Sequence, residues 1–579
     1  MTPDDAPGPG VPGPEPAPPP ETIAGAVLAR ADDPGLGLWA GDVRLSHTEV
    51  VAAAASRGAW LRAGRRPATN PFHVAVLLDN VPEFVFWLEA AALTGAVVVG
   101  ANPTHRGDEL VRDLSHTECQ FLVTDSASLP LLEGARVGHG SGGIGVVDAD
   151  NPRVLVVDTA SSQAALAGFD GASAADVLDP SVTPDSLGYL LFTSGTSGAP
   201  KACLCTQGRL ARIGAIVARM YALTRDDVCY LAMPLFHSNA LMAGWGPALV
   251  AGSAFALPSA GRFSASGFLP DVRAAGATYF NYVGKPLAYI LATPEEPDDA
   301  DNPLVRAFGN EGSTDDVARF AERFGVAVTD SYGSTEGGAT VQRTPDTPSG
   351  ALGRAPEGTV VLDPATGAEC PPARFDAQGR LLNAEEAIGE LVSKSGGAGF
   401  EGYWRNDEAE GARLREGWYW TGDLAYRDEA GFFYFAGRDH DWLRVDGENF
   451  ASAPIERILQ RHADVVLASV YAVPDPVVGD QVMAAVQLRP GVDVLDPGAL
   501  TEFLSAQGDL GTKWAPRFVR MSASLPITAT NKVLKRALRA ERWNSNESVL
   551  WQAERGGAYR TMSADEARAL EESVEGRVL

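Results

Sequence analysis

"FVFWLEAAALTGAVVVGANP", residues 84 to 103, is the most apolar run in the chain, and two residues inside it decide how it folds. Glu89 sets a carboxylate in its middle and Gly95 breaks it, so neither half supplies the roughly 20 unbroken apolar residues of a membrane span. The first half predicts a buried helix, and "AVVVGAN" behind it predicts a buried strand. A helix feeding a strand across a glycine is one unit of an α/β fold.

The same unit recurs outward in both directions. From about Glu21 to Gly437, helix-like periodic segments alternate with short apolar runs bounded by Gly, Pro and Asp: "FHVAVLL", "CQFLVTD", "VLVVDT", "VCYLAMP", "TYFNYVG" and "VAVTDSYG". That alternation predicts α/β architecture with mostly parallel sheets, and the number of strands requires more than one sheet. Residues 128 to 186 read as loop-rich, and "ATPEEPDDADNP" (292 to 303) reads as a solvated acidic loop. After "GFFYFAGRDHD" (431 to 441) the elements shorten: a helix near "SAPIERILQRH", strands at "VVLASVYAVP" and "QVMAAVQLRP", and a helix at "PGALTEFLSAQ". The expected organisation is a Pro/Gly-rich disordered leader (1–21), a large multi-subdomain N-terminal domain (22–437), a small mobile α+β C-terminal domain (438–545) and a tail (546–579). Ser563 and Glu566 form a capping box ahead of a helix in that tail.

Bulk composition narrows the function. At 579 residues with 45% hydrophobic and 21% charged content, the chain reads as a globular enzyme of several subdomains. Its 47 basic against 74 acidic residues give a net charge of -27, which repels nucleic acid over most of the surface, so any anionic ligand has to be held locally. Five cysteines without a Cys-x-x-Cys pair fit a reducing compartment, and the cytoplasm is the expectation. The leader "MTPDDAPGPGVPGPEPAPPPET" has neither the basic nor the apolar region of a signal peptide.

One stretch is too polar for core and too short of charge for a surface face: "LLFTSGTSGAPKACLCTQ" (190 to 207). Gly195 and Gly198 let backbone N–H groups approach an oxyanion, Thr193, Ser194, Thr196 and Ser197 add hydroxyls, and Lys201 supplies a mobile point charge. These are the parts of a phosphate cradle, though not of a Walker A loop, and on composition alone a Gly/Ser hairpin turn is an equal reading.

"YLLFTSGTSGAPKAC" resembles the phosphate-loop signature of the adenylate-forming superfamily, and the family's other motifs follow in order. "DSYGSTEGG" (330 to 338) resembles its adenine and magnesium motif. The resemblance implies that Tyr332 flanks adenine, with Gly333 and Ser334 beside the nucleotide, that Thr335 meets the α-phosphate, and that Glu336 ligates Mg2+. "GWYWTGDLA" (417 to 425) is similar to the ribose motif, giving Asp423 the two ribose hydroxyls, and Arg438 sits where a ribose-contacting arginine precedes the hinge, at His440. "LPITATNKVLKRAL" (525 to 538) resembles the catalytic-lysine motif, with Lys532 in the critical place and Asn531 where glycine is usual, a residue type that tolerates positive φ. By the same resemblance Gly447 passes pantetheine, Arg444 and Asn449 meet phosphate, and His237 of "PLFHSN" borders acyl site and tunnel, although a satisfied buried histidine and a salt-bridged arginine remain equal readings.

"RFSASGFLPDVRAAGATYFNYVGKPLAYILATP" (262 to 294) narrows the resemblance to fatty-acid-transport-protein-type acyl-CoA synthetases, including actinobacterial fatty-acid-CoA ligases, over about residues 22 to 545. It departs from them at "FGNEGS" (308 to 313), where Glu311 adds a carboxylate near the adenine and acyl pocket. The implied activity is ATP-dependent formation of acyl-AMP from a fatty or aryl acid, then transfer to CoA, with Lys201, Thr193, Glu336, Lys532 and His237 in the chemistry. Two other classes stay open: an adenylating enzyme of secondary metabolism, such as a diazotase using nitrite and an aryl amine or an amide ligase, and a lipid-binding protein with a dead site. Peripheral membrane contact and a homodimer are also left open.

Overall fold

The structure is a computed structural model, and it describes residues 19–64, 71–105, 107–138, 142–193, 200–312, 314–348, 350–376, 381–397, 399–438, 442–445, 448–475, 479–507, 510, 514–527, 533–554 and 556–575. The helix Pro82–Thr94 begins on a proline, whose missing N–H has no helical partner to lose there, and ends on Gly95 at φ 70°. Every side chain from Phe84 to Thr94 is buried, as an all-round apolar helix requires, and the strand Val97–Gly100 that follows is buried throughout.

Two sheets dominate the first two thirds of the chain. One runs Lys201–Thr206, Leu187–Thr193, Val97–Gly100, His73–Leu77, Phe121–Thr124, Val154–Val156, parallel except at its Lys201–Thr206 edge. The other has eight strands and a parallel centre, in which Val228–Leu231, Tyr279–Val283, Arg306–Asn310 and Ala327–Gly333 lie side by side. The main core fills the space between them: Val76, Val98 and Leu191 from one sheet meet Leu231, Phe255 and Tyr279 from the other, with Phe84, Trp87 and Leu210 of the intervening helices. A third, antiparallel sheet carries Trp418–Arg427 and Phe433–Arg438. The expected α/β architecture is the observed one.

The smaller C-terminal sheet centres on Val465–Asp475, Gly479–Leu488 and Phe518–Ser522 around its own core. The chain after residue 545 adds Val549–Trp551 and Arg560–Thr561 to that sheet, followed by the helix Ala564–Glu575. Its capping box forms as expected: Ser563 N and Oγ both donate to Glu566 Oε2, at 2.9 and 2.8 Å.

One local reading changes. The acidic loop 292–303 is not wholly solvated, because Asp299 is buried against Arg323 with Nε to Oδ2 at 2.6 Å, and the pairing compensates its desolvation. Ala240–Trp245 is a π-helix continuous with the α-helix Gly246–Ala251. Such wide turns often mark functional sites.

Candidate active site

The phosphate-loop motif is a hairpin. Leu187–Thr193 and Lys201–Thr206 pair antiparallel with Thr193 directly opposite Lys201, and Ser194, Gly195, Thr196, Ser197 and Gly198 at the tip lie outside the described residues. Lys201, just beyond the loop, opens a strand and is half-buried. Desolvation lowers its pKa, Arg413 lowers it further, and Glu336 pulls it back up.

The strand Ala327–Gly333 carries Tyr332 and Gly333 to its C-terminal end and releases the chain into a tight turn, in which Gly337 N donates to Ser334 O at 3.1 Å and lies 3.3 Å from Ser334 Oγ. Ligand sites of open α/β sheets form at such carboxyl ends. Beneath the turn lies a residue the motifs did not flag. Arg209, 1% exposed, donates from Nη2 to Thr335 O at 2.7 Å and from Nη1 to Leu204 O at 2.9 Å. Gly337 has to be glycine for this: its φ is +73°, and a Cβ there would stand 2.7 Å from Arg209 Nη2. Above the turn, Thr335 Oγ1 and Ser238 Oγ share a hydrogen bond of 2.7 Å.

Glu336 is buried, 6% exposed, and its Oε1 accepts from Tyr403 Oη at 2.8 Å. Burial first, and Glu336 second, push the Tyr403 hydroxyl pKa far up, so it stays a donor. Arg413 reaches the same hydroxyl and faces Glu336. Lys201, Arg413, Tyr403 and Glu336 thus form one group, two cations around one carboxylate.

At the other end, Tyr332 Oη donates to Asp423 Oδ2 at 2.6 Å. Burial and then Asp423 raise the tyrosine pKa. Asp423 is fixed through its backbone, with N donating to Thr421 Oγ1 at 3.1 Å, and the preceding Gly422 N donates to a Glu390 carboxylate oxygen at 2.7 Å. Arg438 is the register partner of Asp423 on the neighbouring strand, so the two positions face each other across one ladder rung.

Asn239 N donates to His237 Nδ1 at 3.2 Å. Asn281 donates to Asn239 Oδ1 at 2.6 Å. Asp330, buried, accepts from Tyr282 Oη and from Gly312 N, both at 2.9 Å; burial lifts its pKa to about 7, with neighbouring Glu311 adding to the rise. Glu311 itself sits at φ 64°. In the C-terminal sheet Arg444 is paired with Asn449 on the hairpin flanking residue 447, so Arg444 lies on a strand and not on a helix face. His440, Gly447, Asn531 and Lys532 lie outside the described residues.

Of the residues the motifs name, the fold brings Lys201, Thr335 and Glu336 together at one end and Tyr332 and Asp423 at the other. Arg209, Ser238, Tyr403 and Arg413 join them without having been singled out, each being one basic or hydroxyl residue with no spacing signal of its own.

The two-part α/β chain thus gathers cations on one carboxylate and holds a second carboxylate by a tyrosine. Residues 27–404 match the AMP-binding enzyme family and residues 454–532 its C-terminal domain, and the chain belongs to that family. It is 50% identical over 553 residues to the steroid-22-oyl-CoA synthetase of Rhodococcus jostii (strain RHA1), covering 95% of this chain and 97% of that one. A medium/long-chain-fatty-acid–CoA ligase, FadD17, of Mycobacterium marinum is 46% identical over 520 residues, 90% of this chain and 96% of its own. ATP-bound MatB from Rhodopseudomonas palustris shares the fold, with a TM-score of 0.71 at 24% identity over 89% of this chain and 98% of that one. The chain is an ATP-dependent acid–CoA ligase. Among the described residues no helix is long and apolar enough to cross a membrane.

Proposed function

We propose that the chain ligates CoA to a bulky apolar carboxylic acid, a steroid side-chain acid first and a medium- or long-chain fatty acid second. The observation that carries the ligase chemistry is the convergence of Lys201, Arg413 and Tyr403 on Glu336, with Tyr332 holding Asp423 at the other end. The apolar acid is supported by relatives 50% and 46% identical, both named for such acids. All five cysteines are free thiols, which fits a cytoplasmic enzyme.

In the first step a carboxylate oxygen attacks the α-phosphorus of ATP, the bond from Pα to the bridging oxygen breaks, and pyrophosphate leaves. Positioning and charge neutralisation supply most of the catalysis. Thr193 to Gly198 and Lys201 hold the leaving phosphates, Thr335 meets the α-phosphate, Tyr332, Gly333 and Ser334 border the base, and Asp423 with Arg438 holds the ribose. Lys532 covers the charge developing between carboxylate and α-phosphate. Glu336 would offer Mg2+ a hard carboxylate oxygen, its Oε1 already accepting from Tyr403, with substrate phosphate oxygens supplying the negative charge the ion needs beside Lys201 and Arg413. Bound there, Mg2+ would neutralise phosphate charge. In the second step CoA thiolate attacks the acyl carbon and AMP leaves, with Gly447 passing pantetheine, Arg444 and Asn449 meeting its phosphates and His237 bordering the tunnel.

The test follows AMP and pyrophosphate release with steroid side-chain carboxylates, fatty acids, aryl acids and nitrite plus an aryl amine, with and without CoA. CoA-dependent thioester formation, at least about tenfold better in kcat/KM for apolar acids than for aryl acids, is expected. Turnover confined to nitrite and an amine, or to an amine acceptor in place of CoA, overturns the reading.

A further inference from the structure

We propose that Arg413 is a positioning residue that locks the metal-binding and ribose-binding ends of the nucleotide site into one rigid unit. Its guanidinium has two attachments. On one side it stands by charge beside the Tyr403 hydroxyl, which donates to Glu336 Oε1 at 2.8 Å, so the carboxylate is oriented through the tyrosine. On the other side Nη1 donates to Trp420 O at 3.4 Å and lies against the bare Cα face of Gly422. A Cβ on Gly422 would overlap Nη1 outright, and Gly422 has φ +71°. The residue after it is Asp423, whose Oδ2 is held by Tyr332.

The arrangement is specific to an arginine. A planar fork can serve Tyr403 and the backbone at Trp420 together, whereas a lysine presents one point of contact. Arg413 closes the helix Asp407–Arg413, immediately before the strand pair Leu414–Arg415 and Trp418–Arg427, so its Cα is anchored close to the strand it clamps. Groups that orient a ligand's partner typically change metal affinity by about 10- to 100-fold when removed. This inference rests on reading Glu336 and Asp423 as the metal and ribose ligands.

The experiment measures binding without acid or CoA, by calorimetry of the full chain with ATP plus Mg2+, ATP plus EDTA, and AMP, alongside KM for ATP and for acid. In Arg413→Met, binding of ATP with Mg2+ should weaken about tenfold or more and AMP binding should weaken with it, while KM for the acid stays unchanged. Tyr403→Phe, which keeps the ring, should weaken only the Mg2+-dependent part of ATP binding and leave AMP as it was. Arg413→Lys should recover a fraction of the loss. Mg2+-ATP binding in Arg413→Met within about twofold of the parent, full recovery by lysine, or an equal rise in acid KM overturns the proposal. Failure of the parent chain itself to bind ATP with Mg2+ would instead overturn the reading of the site beneath it.

Discussion

Glu89 shows how much one side chain can carry. It lies in the centre of the buried helix Pro82–Thr94, its Oε2 has no hydrogen-bond partner, and the Tyr189 hydroxyl is likewise unsatisfied nearby. Burial lifts its pKa from 4.5 to about 8, with the Trp245 side chain partly opposing the rise. The folded chain therefore holds this proton between pH 4.5 and about 8 while the unfolded chain releases it, so this contribution to stability is complete below 4.5 and falls as pH rises to 8. While it lasts the slope is about 1.4 kcal/mol per pH unit. Glu89→Gln removes the slope, so the melting temperature of the variant minus that of the parent should rise between pH 6 and pH 8.5. A difference that is flat across that range would rule out a protonated Glu89. Arg209 is the complementary case, a buried cation that donates to two backbone carbonyls and to Cys203 Sγ, and nothing in "TQGRLAR" distinguishes it from a surface arginine.

At the scale of elements, the π-helix Ala240–Trp245 is part of the main core, and Gly244 explains its packing. A Cβ at Gly244 would overlap Leu231 Cδ2 and come within 2.8 Å of Asn281 Oδ1, both fully buried. Gly244→Ala should cost about 1–3 kcal/mol, as overpacked cores do, and displace Asn281 from its 2.6 Å bond to Asn239. Since Asn239 N fixes His237, KM for the acid should rise several-fold with KM for ATP unchanged. An equal rise in both would locate the damage elsewhere. The strands around this element were legible in the sequence, because "VCYLAMP" and "TYFNYVG" are continuous apolar runs of the kind parallel sheets bury on both faces. The wide turn was not, since a π-helix differs from an α-helix by one hydrogen-bond step and leaves no period in six residues. The site divides in the same way. Lys201, Glu336 and Asp423 stand in short ordered motifs, whereas Tyr403 and Arg413 acquire meaning only once residues 67 and more positions away are folded against them.

For the whole molecule, the segment following the C-terminal family match at residue 532 is built into the smaller sheet. Leu550 is fully buried in its core, Val549 is 4% exposed, and Trp551 stacks on Phe518 with centroids 6.1 Å apart. The helix Ala564–Glu575 closes the far side, where Ala567 and Leu570 pack against the cluster of Phe518 and Trp543, and Glu571 pairs with Arg542 at 3.1 Å. Deleting residues 546–579 would bare that apolar face and leave the Phe518–Ser522 strand without its antiparallel neighbour. The large sheets and their core draw nothing from this segment. The truncated chain should therefore still bind ATP within about threefold while losing acyl-adenylate formation, because Lys532, proposed above for that step, falls in the C-terminal family match. Leu550→Ala, a milder form of the same lesion, should cost about 2–5 kcal/mol in the C-terminal unit and lower turnover at elevated temperature first. Calorimetric ATP binding beside pyrophosphate release separates the two units; unimpaired pyrophosphate release by the truncated chain would show that the last strands are dispensable to the catalytic domain.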